Sequence, residues 1–239
     1  SVESTFYKHP KSPHPDIFRV SNNEEEGCTR VGRSGWHIDG TFQMRPFMYQ
    51  SMYFPSVADG GDTNFIPLKE LYESFTPNEQ QYYNKLWMVT GRRQAPIHPL
   101  VYRHPFRDET TMIFHCGAPF VQGWYQDEEN LNVKGYHNGA NTNRVDVSTL
   151  IPARIIQNQL TEAIESKLDE IGLRMKWEKG DFILCDNLGL AHYATEGTQE
   201  CSRVVGLRVL HRTTIVGSAE TVPRKADGRK SFVINNRLF

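Results

Sequence analysis

The chain has 239 residues, 38% hydrophobic and 11% aromatic, with a formal net charge of -1. That is enough for one full globular core, and residues 1–239 read as a single domain. A charge so near zero gives no basis for a nucleic-acid or membrane partner, and no apolar run approaches the roughly 20 residues of a membrane span.

Residues 1–34 are polar and turn-rich, with one candidate strand in "DIFRVS" and no signal-like leader in the opening "SVESTFYKHP". "PFMYQSMYF" reads as a buried strand, "SVADGGD" as a turn and "TNFIPL" as extended chain. "LKELYESF" and "PNEQQYYNKLW" read as two helices, the second opened by Pro77. "HPLVYRHP" and "TTMIFHCG" form a candidate strand pair joined by "FRDE". Residues 126–148 are rich in Gly and Asn and read as a lid or substrate loop.

"ARIIQNQLTEAIESKLDEIG" is the clearest helix: Ile156, Leu160, Ile164, Leu168 and Ile171 recur at three- and four-residue steps, and Gly172 closes it. "RMKWEKGDFILCDN", "LGLAHYAT" and "RVVGLRVLHRTTIVG" all look strand-like. Short strands with few helices among them suggest a mainly β fold, an antiparallel sandwich or jelly roll with flanking α-helices. Cys28, Cys116, Cys185 and Cys201 show no Cys-x-x-Cys spacing, which suits reduced thiols and a cytoplasmic location. Self-association into a homo-oligomer is compatible with this composition.

"GWHIDGTF" places His37 and Asp39 two apart, on one face if the chain is extended. An imidazole and a carboxylate side by side make two thirds of a ligand set for a transition metal. The plain alternative is a His–Asp hydrogen bond at a strand end. A third ligand needs a second strand, and the best candidate is His192 in "CDNLGLAHYAT", after an apolar strand and a tight turn. Two His and one carboxylate on one face form the triad typical of non-haem Fe(II) oxygenases. His98, His104, His115 and His211 compete, but each reads as a packed, hydrogen-bonded strand histidine.

Four segments, "WHIDGTF" (36–42), "GGDTNF" (60–65), "GDFILCDNLGLAHYA" (180–194) and "GLRVLHRTTIVG" (206–217), together resemble the TauD/TfdA family of Fe(II)- and 2-oxoglutarate-dependent dioxygenases. The resemblance runs from about residue 7 to residue 217. It implies a double-stranded β-helix, with Fe(II) as the metal and 2-oxoglutarate and O2 as cosubstrates. Family members usually carry a further segment before the "HP" of His9–Pro10, so the chain looks short at that end.

By resemblance His37, Asp39 and His192 are the catalytic metal ligands, and Arg208 with Thr63 binds the distal carboxylate of 2-oxoglutarate. A planar guanidinium suits that role through paired charge-assisted bonds. The stretch 193–207 is longer than the family pattern, which makes Arg203 a rival by spacing. Arg212, Arg33, His9 and Lys11 fall at substrate-side positions. "LRVLHRTTIVG" supplies no carboxylate for Arg212, so an anion from the substrate is expected there.

The implied reaction is oxidation of a C–H bond in a small anionic substrate, an amino acid derivative, carboxylate or sulfonate, with hydroxylation as the default outcome. Oxidative cyclisation or desaturation in a biosynthetic pathway uses the same iron chemistry. A carboxylate ligand leaves no site for halide and argues against halogenation. Rivals of other classes are a non-catalytic jelly-roll binding module and a hydrolytic zinc enzyme.

Overall fold

The computed structural model describes residues 8–29, 31, 35–91, 96–127 and 150–233. Its strands are β1 (Phe18–Ser21), β2 (Tyr49–Ser56), β3 (Thr63–Pro67), β4 (Leu86–Thr90), β5 (Ile97–Pro99), β6 (Val101–Arg103) and β7 (Thr110–Met112). They continue as β8 (Val121–Gln126), β9 (Ile151–Pro152), β10 (Leu173–Met175), β11 (Phe182–Asp186), β12 (Leu190–Ala194) and β13 (Val209–Ile215). The helices are α1 (Leu68–Glu73), α2 (Pro77–Lys85), α3 (Ala153–Ile171) and α4 (Ser202–Val205).

Two antiparallel sheets face each other as the walls of a jelly roll. One has the order β1-β13-β2-β11, the other β10-β3-β12. In β2 the residues Gln50, Met52 and Phe54 point inward while Tyr53 is exposed, the period-two alternation of a sheet with one wet face. Phe18, Val20, Met52, Phe54, Phe65, Trp177, Cys185 and Leu210 fill the space between the walls.

Strand β3 is different, because both of its faces are covered. Phe65 joins that inter-sheet core, whereas Ile66 joins a second core under the helices. This is why "TNFIP" does not alternate in polarity. The second core gathers Ile156, Leu160, Ile164 and Leu168 of α3 with Leu68 and Leu71 of α1, against Trp36, Ile38, Phe114 and Ala191. Burying each α3 side chain contributes roughly 1.5–3 kcal/mol, so the helix is a structural brace behind the inner wall.

The start of α2 follows local rules. Thr76 accepts a hydrogen bond from the Glu79 N–H, Glu79 accepts one from the Thr76 N–H, and Pro77 takes the first helical position. Its end does not follow the expected "PNEQQYYNKLW". The helix stops at Lys85, and Leu86 and Trp87 begin β4, buried and paired with β5 and β8 on its two sides. "RVVGLRVL" is likewise not one strand: residues 202–205 form α4, Gly206 turns the chain with φ +92°, and β13 begins at Val209.

Candidate active site

His37 lies between two other extended segments. Its N–H donates to the His192 carbonyl at 3.1 Å, and the His192 N–H donates back at 2.9 Å. On its other side His37 forms an antiparallel bridge with His115. The neighbours Trp36, Ile38, Phe114 and Ala191 all pack towards the helices. Period two therefore turns His192, His37 and His115 to the opposite face, into the interior of the roll. On β3 the residue opposite His192 is Phe65, and Thr63, two residues away and opposite Ala194, points to the same face.

The expectation that His37 and Asp39 share a regular strand needs amendment. Only His37 is bridged, and Asp39 begins a turn. Gly40 continues that turn at φ +83°, where an added Cβ would lie 2.8 Å from a ring carbon of Phe47 and 2.9 Å from its nitrogen. Only glycine fits both constraints. Asn187, fully buried, holds the Asp39 backbone: its Oδ1 accepts the Asp39 N–H at 2.8 Å and its Nδ2 donates to the Asp39 carbonyl at 2.9 Å.

One ligand atom from each of His37, Asp39 and His192 falls within 4.8 Å of the others, in a buried group. His37 Nδ1 is 2.7 Å from the Gly35 carbonyl and donates to it, which leaves the Nε2 lone pair on the Asp39 side, 3.7 Å from Oδ1. Gln50, buried on β2, reaches across the roll to His192 Nδ1, its amide nitrogen 3.2 Å away and its Oε1 without a partner. Turning that amide over gives the Nδ1–H an acceptor and frees His192 Nε2 for a metal. Burial keeps both imidazoles neutral, with His37 lowered and His192 pushed down to about 3. Burial alone raises Asp39, but Arg212, His192 and His37 together outweigh it and hold the carboxyl below its usual range. Two neutral nitrogens and a carboxylate suit a divalent transition metal.

Arg212 changes one expectation. Its Nη1 lies 3.2 Å from Asp39 Oδ1 and 3.0 Å from Oδ2, so a protein carboxylate does face it, from a turn far away in sequence. The premise that Arg212 must await a substrate anion is overturned. Asp39 Oδ2 accepts no hydrogen bond despite that contact and keeps a lone pair for a metal.

Arg208, 4% exposed, lines the same cavity over the Phe54 ring at 5.0 Å. It has no carboxylate partner among the described residues, and burial lowers it to about 10. Thr63 Oγ1 accepts the Trp177 indole N–H at 3.0 Å, which leaves its own O–H free to donate. Arg203, the rival by spacing, is exposed on α4.

The cavity measures about 410 Å³. Beside His37, Asp39, His192, Thr63, Arg208 and Arg212, its wall is largely apolar, with Phe18, Phe42, Met52, Pro119 and Phe120 prominent. His9 and Lys11 do not line it. His9 is 3.1 Å from the Glu24 carbonyl, and Lys11 is half exposed and ion-paired with Glu26. Arg33 and residues 128–148 of the expected lid lie outside the described residues.

Of the competing histidines, His98 bonds Ser231 and the Thr41 carbonyl, His104 bonds Asp186, and His211 lies 2.6 Å from Arg19. His115 alone of the four lines the cavity. Sequence reasoning missed Asn187, Gln50 and this placement of His115. "CDN" before the His192 strand is the one local signal that could have marked Asn187.

The family described as taurine catabolism dioxygenase TauD, TfdA matches residues 1–214. The chain belongs to the TauD/TfdA family. It is 24% identical over 238 residues to an alpha-ketoglutarate-dependent sulfate ester dioxygenase of Pseudomonas putida, covering 93% of the chain and 71% of that enzyme. It is 25% identical over 184 residues to 3-((Z)-2-isocyanoethenyl)-1H-indole synthase of Fischerella ambigua, covering 72% of the chain and 61% of the enzyme. Pentalenolactone F synthase of Streptomyces arenae is 26% identical over 203 residues, with 77% and 64% covered. The chain thus spans less than two thirds of the length of the last two.

Among solved structures, a taurine dioxygenase from Burkholderia xenovorans superposes with a TM-score of 0.67 at 23% identity, covering 97% of this chain and 71% of that one. AAD-2, solved in complex with Mn(II) and N-oxalylglycine, gives 0.61 at 17% identity, with 87% and 74% covered. These likenesses establish the jelly-roll fold.

Proposed function

We propose that this TauD/TfdA protein is an Fe(II)- and 2-oxoglutarate-dependent dioxygenase that oxidises a C–H bond of a small molecule. The observation that carries this is the pairing of two elements in one cavity: a buried two-His-one-carboxylate set and a buried arginine that faces no carboxylate among the described residues. His37, Asp39 and His192 would hold Fe(II). When bound, the iron and 2-oxoglutarate supply the oxidising power, drawn from O2 and from decarboxylation of the cosubstrate.

The chain's own residues do the rest. Arg208 neutralises the distal carboxylate of 2-oxoglutarate, and the Thr63 hydroxyl donates to it. Arg212 stays on Asp39 and stops the ligand carboxylate from swinging away. The Gly35 carbonyl and Gln50 orient the two imidazoles. Apolar walls exclude water from the reacting centre.

With Arg212 neutralised by Asp39, the substrate need carry no net charge, and the small-anion expectation widens to a small molecule. Hydroxylation is the default outcome. Desaturation and ring closure use the same ligands, and the relatives at similar identity include enzymes named as synthases. Free cysteines at all four positions support a reducing, cytoplasmic setting.

The test is succinate release from 2-oxoglutarate. It should require both Fe(II) and O2, stop on chelation, and fall sharply in His192→Ala. Turnover of a substrate in air-free buffer, or retention of full activity with zinc, would favour the hydrolase. Tight small-molecule binding without succinate would favour the binding module.

A further inference from the structure

His115 is 5% exposed, lies next to the metal-binding set and is not part of it. Its ring is sandwiched between His37, at 4.6 Å and 18°, and Phe120, at 4.0 Å and 21°. The Gly117 N–H donates to its Nδ1 at 3.0 Å. Nδ1 is therefore an acceptor, and the proton of the neutral ring sits on Nε2. That Nε2–H has no acceptor among the described residues, and the ring lines the cavity. The Nε2–H is not sealed off in the protein; it opens onto the cavity, where a bound molecule can accept its hydrogen bond.

The row of strands says where such an acceptor would come from. Thr63 and Arg208 anchor the 2-oxoglutarate end beyond His192, on the β3 side of the row. His115 is at the opposite end, beyond His37. Its neighbours in the cavity wall there are Ala118, Pro119 and Phe120, all apolar.

We infer that His115 binds the substrate: its Nε2–H donates to a carbonyl or carboxylate oxygen of a molecule whose apolar body rests on Ala118, Pro119 and Phe120. This rests on the dioxygenase reading and adds to it a substrate class, a mainly apolar small molecule with one oxygen acceptor.

The test uses the whole protein under anaerobic conditions with Fe(II) and 2-oxoglutarate, watching the visible charge-transfer band of the iron–2-oxoglutarate complex. Three probes of one shape are titrated: phenylacetamide, phenylacetate and ethylbenzene. In the parent, at least one of the two oxygen-bearing probes should perturb the band at about tenfold lower concentration than ethylbenzene. Response to the amide marks a neutral carbonyl, and response to the acid alone marks a carboxylate.

His115→Phe keeps a stacked ring but no donor, and should erase that preference. His115→Gln keeps an N–H and should retain part of it. The inference is overturned if the parent shows no preference, if no probe moves the band, or if His115→Phe keeps the preference in full. Should His115→Phe fail to fold, the parent's preference and the Gln variant still decide. A parent with no band at all would fail the metal and cosubstrate reading and this inference with it. A band that ignores the probes fails this inference alone.

Discussion

Arg208→Met should make the empty protein more stable and remove most of the stabilisation that ligand gives. Arg208 is 4% exposed and faces no carboxylate among the described residues, and burial moves it from 12.5 to about 10. At about 1.4 kcal/mol per pKa unit, that is an unfavourable desolvation of about 3 kcal/mol. Stacking over Phe54 returns about 0.5–1 kcal/mol. Methionine keeps most of the stem and removes the charge, so the apo protein should gain about 2 kcal/mol. For a chain of this size that is roughly 4–8 °C in Tm.

The gain is offset with ligand. Mn(II) and N-oxalylglycine at 100 times Kd should stabilise the parent by about 2.7 kcal/mol. Losing a charge-assisted bond worth about 1.5–3 kcal/mol should remove most of that shift in the variant. Thermal unfolding of both proteins, with and without the pair, measures all four values. A drop in apo stability of more than about 1 kcal/mol would mean that Arg208 is held by a partner in the empty state. A full N-oxalylglycine shift in the variant would mean that the carboxylate is bound elsewhere.

Other consequences can be checked with the same proteins. Arg208→Lys should raise the N-oxalylglycine concentration needed at least tenfold, while Arg203→Lys on the exposed α4 should leave it unchanged; the reverse ranking would reassign the cosubstrate site. Asp39→Ala should abolish Mn(II)-induced stabilisation and also cost about 3–5 kcal/mol in urea unfolding without metal, because it breaks a largely buried ion pair with Arg212. Gln50→Leu should weaken Co(II) binding about 10–100-fold in spectroscopic titration, and Gln50→Glu, which keeps an acceptor for His192 Nδ1–H, should restore it. His98, pushed down to about 4 by burial, is neutral when folded, so the unfolded chain takes up its proton first as pH falls below 6.5. Its share of stability is complete above pH 6.5 and is lost on the way down to pH 4. Urea unfolding at pH 7 and pH 5 should show roughly 2 kcal/mol of that loss in the parent and a flatter response in His98→Gln.

The parts of the site that could be read in the sequence are those whose signal is local. His37 and Asp39 are two residues apart, the helix of residues 153–171 announces itself by its apolar period, and His192 follows an apolar strand at a turn. Arg208 could be preferred over Arg203 because it belongs to a strand-like block; in the fold Arg208 is buried beside the cavity and Arg203 is exposed. What could not be read depends on pairs. Arg212 looks like a cation in want of an anion until Asp39, 173 residues away, is folded against it. Gln50 and Asn187 carry no mark of their roles, since each acts on a segment about 140 or more residues distant.

His115 shows the same limit most plainly. By composition and strand context it is one of four equivalent histidines, and nothing nearby distinguishes it from His98 or His104. The sequence by itself determined which residue types carry the chemistry and which local shapes they take. The tertiary structure alone decided which charges cancel and which donors are left facing the cavity, because burial and compensation are properties of two segments in contact and cannot be assigned to either one before they meet.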